Sequence, residues 1–199
     1  MATHRETIKV LLLEDSINDA DLLKIELISH IDAELDFKLV NSREDFFSSL
    51  KDFVPDIVIS DYNLPQFNGF EALAIAIEHD RNLPFIISTG SLTEELAADS
   101  IKLGAWDYVV KERLHRLPVA FENSLRIRRE RLKALQVEKD LQESRQFIDN
   151  IISQISPVGI FRADIEGNVT YVNSKWSELT GLTNEEARGL GWSVRFSTM

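Results

Sequence analysis

The residues best suited to chemistry in this sequence are three carboxylates, one hydroxyl and one amine. Glu14 and Asp15 close one apolar run, and Asp61 directly follows another. Thr89 and Lys111 follow two more. Carboxylates brought together repel and raise one another's pKa unless a cation sits among them. Hard oxygen ligands at an open site suit Mg²⁺, which keeps several of its waters. A carboxylate beside such an ion can attack phosphorus and form an acyl phosphate. That transfer is driven by positioning and charge neutralisation. Lys111 would bring a mobile positive charge and Thr89 a hydroxyl for a phosphoryl oxygen. Taken singly, each residue has a plainer explanation: acids favour loops and helix starts, lysines favour surfaces, and threonines end strands. Their shared placement at the ends of apolar runs is what a plain explanation accounts for poorly.

That placement depends on the elements between them. Apolar, β-rich runs occupy Ile8–Leu13, Leu35–Val40, Asp56–Ser60, Pro84–Ser88 and Trp106–Val110. Between them Ala20, Leu23, Leu27 and Ile31 recur at helical spacing, as do Phe46, Leu50 and Phe53. Phe70, Leu73 and Ile77 repeat the pattern, followed by Leu96, Ser100 and Leu103. Ser42 with Asp45 forms a helix-start signal and Gly104 a helix stop. Alternating strands and helices predict an α/β fold with a doubly wound, five-stranded parallel sheet covered by helices on both faces. Ligands of such sheets bind beyond the carboxyl ends of the strands. Glu14, Asp15, Asp61, Thr89 and Lys111 all fall at that edge.

With these residues in place, the sequence resembles the receiver domain of two-component response regulators over roughly residues 6–128. The resemblance rests on Leu11-Leu12-Leu13-Glu14-Asp15-Ser16, Asp61-Tyr62-Asn63-Leu64-Pro65 with Gly69, Ser88-Thr89-Gly90, and Asp107-Tyr108-Val109-Val110-Lys111. It implies a flavodoxin-like sheet in strand order 2-1-3-4-5, with Asp61 as the phosphoacceptor and Asp15 and Asp61 ligating Mg²⁺ directly. It also implies a third ligand in the backbone carbonyl of Asn63, and Glu14 acting through a metal-bound water. Thr89 and Lys111 would bind the phosphoryl group, and Tyr108 would be the aromatic switch. The implied partner is a histidine kinase or a histidine phosphotransfer protein. Two departures stand out. The acidic pair is Glu-Asp where Asp-Asp is commoner. Glu112 follows Lys111 where many receivers have proline after a cis bond. A cis bond before a non-proline residue costs about 3 kcal/mol, so this loop is expected to be trans or strained.

From Pro118 to Ser156 neither glycine nor proline intervenes. One helix over 118–156 would run for roughly 55–60 Å. Ala134, Val137, Leu141, Ser144, Ile148, Ile151 and Ile155 keep a heptad spacing. Phe121, Leu125, Arg128, Leu132 and Leu135 follow another register, so a shift is expected near 134–139. The helix outruns any face of the preceding domain, and a homodimer through 118–156 is the expectation.

Residues 145–192 resemble the first half of a PAS sensory domain, through Gly159-Ile160-Phe161, Asp164-Ile165-Glu166-Gly167-Asn168, Tyr171-Val172-Asn173 and Leu179-Thr180-Gly181. Val158–Asp164 and Val169–Val172 flank the turn Glu166-Gly167-Asn168 and read as a hairpin, and Asn173 can cap a short helix carrying Trp176 and Leu179. The third region, 157–199, is thus expected to hold a hairpin and short helices as a partial PAS-like segment. The whole resembles the front of a larger signalling protein such as a hybrid histidine kinase. His4, His30, His79 and His115 are scattered, and no kinase nucleotide box is visible.

The net charge of −11 argues against nucleic acid as a partner. The absence of cysteine excludes disulfides, thiolate metal sites and flavin–thiol photochemistry. Apolar runs too short to span a bilayer point to a cytoplasmic protein without membrane contact. Two alternatives stay open: a pseudo-receiver that binds partners without taking phosphate, and an Asp-nucleophile phosphatase. The latter usually has a second Asp two residues after the nucleophile, where this chain has Asn63.

Overall fold

A computed structural model of the chain describes residues 7–65, 67–90, 94–155 and 157–189. The expectations placed on residue 6, Ser156, Leu190 and Ser193–Met199 lie outside these residues. The chain divides into two units, Met1–Ala134 and Leu135–Met199.

In the first unit β1 (Thr7–Leu13), β2 (Glu34–Val40), β3 (Ile57–Asp61), β4 (Phe85–Thr89) and β5 (Asp107–Val110) alternate with α1 (Ile17–His30), α2 (Arg43–Asp52), α3 (Gly69–His79) and α4 (Glu94–Lys102). The sheet has the order β2-β1-β3-β4-β5, as expected, and every neighbouring pair is parallel. β3 and β4 are buried at every position, which explains their unbroken apolar runs. Alternate side chains supply two cores. Leu11, Leu13, Val58, Phe85 and Ile87 pack with Phe46, Leu50 and Leu73 on the α2–α3 side. Val10, Leu12, Ile57, Ile59, Ile86 and Val109 pack with Leu23, Leu27 and Phe121 on the other. The helices start where local chemistry dictates: Ser16, Ser42 and Asn68 each accept the backbone N–H three residues on.

Two strands end one residue later than the apolar runs suggest. Asp61 pairs with Ser88, Thr89 pairs with Val110, and the Tyr62 N–H still donates to the Ser88 carbonyl at 2.9 Å. The phosphoacceptor candidate and the hydroxyl candidate are therefore held by ladder hydrogen bonds rather than by loops. After β5 the chain makes a 3₁₀ turn, Lys111–Arg116, interrupted at Arg113 (φ −129°, ψ 43°). Among the described residues no peptide bond is cis, so the bond after Lys111 is trans. α5 (Leu117–Ile155) then runs for 39 residues.

In the second unit β6 (Phe161–Ala163) and β7 (Val169–Val172) form an antiparallel hairpin, followed by α6 (Ser174–Thr180) and α7 (Asn184–Ala187). β6 is shorter than the expected Val158–Asp164. The Ile160 N–H is taken by the Asn173 side chain at 2.8 Å, and Asp164 instead accepts the turn N–H groups of Glu166 and Asn168. Asn173 caps α6 as expected, and Gly181 ends it at φ +71°, a left-handed position that suits glycine. Val169, Val172 and Ala187 form a small core with Trp176 against it. Among the described residues no helix is long and apolar enough to cross a membrane.

Candidate functional site

β1 and β3 are neighbours, so the acids at their carboxyl ends meet. One carboxylate oxygen each from Glu14, Asp15 and Asp61 lies within 4.8 Å of the others. Glu14 and Asp61 are buried, whereas Asp15 is exposed and leaves the cluster open on one side. Lys111, one residue beyond β5, reaches back across β4 to this edge. Its Nζ stands 3.0 Å from Asp61 Oδ2, 2.9 Å from Glu14 Oε2 and 2.6 Å from Asp19 Oδ2. Only the contacts to Asp61 and Asp19 are aligned as hydrogen bonds. Glu14 Oε2 meets the ammonium at ion-pair distance but out of line, and among the described residues this buried oxygen has no aligned hydrogen-bond donor. Glu14 Oε1 accepts the Ser16 N–H at 3.2 Å, and Asp61 Oδ1 accepts the Asn63 N–H at 3.3 Å.

The electrostatics follow from crowding. Burial raises the Glu14 pKa above its ordinary value; contact with Lys111 pulls it back in part, and the neighbouring Asp61 charge pushes it up again. Burial alone would lower the Lys111 pKa. Hydrogen bonding to Asp19, then the contacts with Glu14 and Asp61, reverse that and hold it above the usual lysine range.

The donor set suits a small hard dication. All three side chains offer carboxylate oxygens, one side is open for water, and the misaligned Glu14 Oε2 would gain a partner.

Thr89 is buried at the end of β4. Tyr108 faces Ile87 in register, and Thr89 faces Val110, so Thr89 and Tyr108 share one side of the sheet on a diagonal. Tyr108 is half-buried against the α2–α3 core. The structure thus brings together Glu14, Asp15, Asp61 and Lys111, with Thr89 on the adjoining strand end and Tyr108 further back. Asn63 sits in the loop after β3, bridged to Asn68. Asp19 is the residue that sequence reasoning missed. An acid in the first turn of a helix ordinarily complements the helix dipole, and nothing local signals a lysine 92 residues away.

Residues 10–121 match the response regulator receiver domain family, and residues 143–190 match the PAS fold. The chain belongs to the response regulator receiver domain family. It is 29% identical over 107 residues to the chemotaxis protein CheY of Listeria monocytogenes, covering 52% of this chain and 86% of that protein. The signal receiver domain of a LuxO repressor protein from Vibrio parahaemolyticus superposes with a TM-score of 0.57 at 27% identity, over 65% of this chain and 97% of that one. A CheY-like receiver from Methanospirillum hungatei shares the fold, with a TM-score of 0.55 at 20% identity over 63% of this chain and 99% of that one. Receiver domains act in phosphorelay signalling and interact with histidine kinases or phosphotransfer proteins.

Proposed function

We propose that Asp61 accepts a phosphoryl group from the phosphohistidine of a kinase or phosphotransfer protein, and that α5 carries the change towards the PAS region as one half of a homodimer. On this reading residues 6–128 are the receiver, 118–156 the signalling helix and 157–199 a partial PAS-like segment, in a cytoplasmic protein. The observation that carries it is the 3.0 Å contact between Lys111 Nζ and Asp61 Oδ2 beside the acid cluster of Glu14 and Asp15.

In the transfer an oxygen of Asp61 bonds to phosphorus as the bond to the donor imidazole nitrogen breaks. The imidazole leaves with the electron pair and takes up a proton. Mg²⁺, held by Asp15, Asp61 and the Asn63 carbonyl with Glu14 acting through water, would neutralise phosphoryl charge. Lys111 already neighbours the attacking carboxylate and needs only a small shift to follow the negative charge onto a phosphoryl oxygen. The Thr89 hydroxyl donates to another oxygen. Movement of Thr89 frees space on the side it shares with Tyr108, which turns inward. The exposed apolar stripe of α5 beyond residue 134 supports the homodimer.

Incubation with acetyl phosphate, with and without Mg²⁺, tests the phosphoacceptor by intact mass. One phosphoryl adduct that requires Mg²⁺ is expected. No adduct at saturating donor would instead make the chain a pseudo-receiver.

A further inference from the structure

From Ala134 onward α5 is a helix looking for a partner. Val137 and Leu141 are 65% and 51% exposed, and Ile148 and Ile151 are 51% and 39% exposed. An isolated helix with such a stripe gains stability only by covering it. The spacing assigns Ala134, Leu141 and Ile148 to heptad position a, and Val137, Ser144 and Ile151 to position d. The residues flanking the seam follow from this. Lys133, Asp140 and Phe147 precede the a residues at position g. Glu138 and Arg145 follow the d residues at position e.

We infer that two copies of this helix pair in parallel and in register, with Lys133 of each copy against Glu138 of the other and Asp140 against Arg145. In a parallel pair each g residue faces the e residue five positions further along the second helix. Lys133 then meets Glu138, and Asp140 meets Arg145. Both contacts are attractive, and symmetry forms each of them twice. An antiparallel pair over the same layers sets g against g and e against e. It keeps Glu138 against Arg145 but puts Asp140 against Phe147 and leaves Lys133 without an acid.

The outward positions have a different chemistry. Lys139 and Glu143 pair with each other along the outer face at 3.7 Å. Among the described residues Lys133, Glu138 and Arg145 form no ion pair within the helix, and Asp140 is met by the neutral Gln136 amide at 2.7 Å. The four charges beside the seam are therefore available to a second copy. They select orientation and partner more than they add affinity, because exposed ion pairs are individually weak. Ser144, the one polar residue in the seam, is set against its own copy in a parallel pair, where two hydroxyls can share a hydrogen bond.

The orientation rests on α5 being the dimer element, and the test separates the two ideas. The chain has no cysteine, so single-cysteine variants of the full chain report cleanly. Under mild oxidation Val137→Cys and Ile151→Cys are each expected to form disulfide-linked dimers, since like d residues face each other within bridging distance. Glu143→Cys, on the outer face, is expected to stay largely unlinked. If neither seam variant links alone but a mixture of Val137→Cys and Ile148→Cys does, the helices are antiparallel and the inference fails while the homodimer stands. If none links and light scattering gives a monomer, the homodimer itself fails. Lys133→Glu is expected to weaken dimerisation by roughly fivefold, with recovery in Lys133→Glu/Glu138→Lys. No recovery in the double variant would overturn the assigned pairs.

Discussion

Lys111 lies closer to Asp19 than to Asp61: its Nζ is 2.6 Å from Asp19 Oδ2 and 3.0 Å from Asp61 Oδ2. On the proposed mechanism, the ammonium that would follow the incoming charge is held partly by a carboxylate in the first turn of α1. Asp19→Asn keeps the size and removes the competing charge. A hydrogen bond to a charged group contributes about 1.5–3 kcal/mol, of which only the part lost on moving Lys111 affects the rate. Phosphorylation of Asp19→Asn by acetyl phosphate is expected to be roughly threefold to tenfold faster, followed as a time course of intact mass. A rate as low as that of Lys111→Met would show that Asp19 positions the lysine productively instead.

The contrast between Asp19 and Asp61 shows what sequence could reveal. Asp61, Thr89 and Lys111 were legible because strand ends in a parallel sheet converge, and apolar runs mark the strands. The exact strand ends were not, because Asp61 and Thr89 are polar residues held by ladder hydrogen bonds that hydropathy does not register. Asp19 was invisible because its partner comes from the far end of the sheet. The 3₁₀ turn at Lys111–Arg116 lies too near α5 for periodicity to separate the two. β6 was overestimated because the Asn173 amide takes hydrogen bonds that a longer hairpin would need.

The raised pKa of Glu14 has a thermodynamic counterpart. A carboxyl whose folded pKa is raised by burial destabilises the fold when ionised. That penalty is full at neutral pH and fades as pH falls through the raised folded value towards the ordinary 4.5. Glu14→Gln is expected to stabilise the metal-free protein at pH 7 by about 1 kcal/mol. It should also flatten the rise in stability on mild acidification and weaken Mg²⁺ binding. Urea unfolding across pH without divalent ions, with a Mg²⁺ titration alongside, checks all three. A less stable Glu14→Gln at pH 7 would mean that its contact with Lys111 outweighs burial.

Gly69 governs how closely α3 approaches the Asp61 loop. Its N–H donates to the Tyr62 carbonyl at 2.9 Å, and an added Cβ would sit 3.0 Å from both the Asp61 carbonyl oxygen and Tyr62 Cα. Both are main-chain atoms and cannot turn aside. Gly69→Ala is expected to cost about 2 kcal/mol and to slow phosphorylation roughly tenfold through displacement of Asp61. Chemical denaturation and the same mass time course measure the two effects.

Arg128, three turns into α5, ties that helix to the chain just before β3 and just after α3. Its guanidinium donates to the Asp56 carbonyl and lies 3.6 Å from the Asp56 carboxylate and 3.8 Å from that of Asp80. Arg128→Ala is expected to destabilise the receiver by about 1–2 kcal/mol while leaving the rate of phosphorylation within twofold. Arg128→Lys should recover only part, because one ammonium cannot serve the divided contacts of a planar guanidinium. Thermal unfolding with parallel phosphorylation assays distinguishes this structural role from one at the acid cluster.

An acyl phosphate is reduced by borohydride to an alcohol, which converts a phosphorylated aspartate into homoserine and marks its position. The full chain, incubated with Mg²⁺ and acetyl phosphate, reduced and digested for tandem mass spectrometry, is expected to carry homoserine at position 61 and at no other aspartate. Homoserine at Asp15 or elsewhere, or a phosphoryl adduct that persists in Asp61→Asn, would contradict Asp61 as the residue that takes the phosphate.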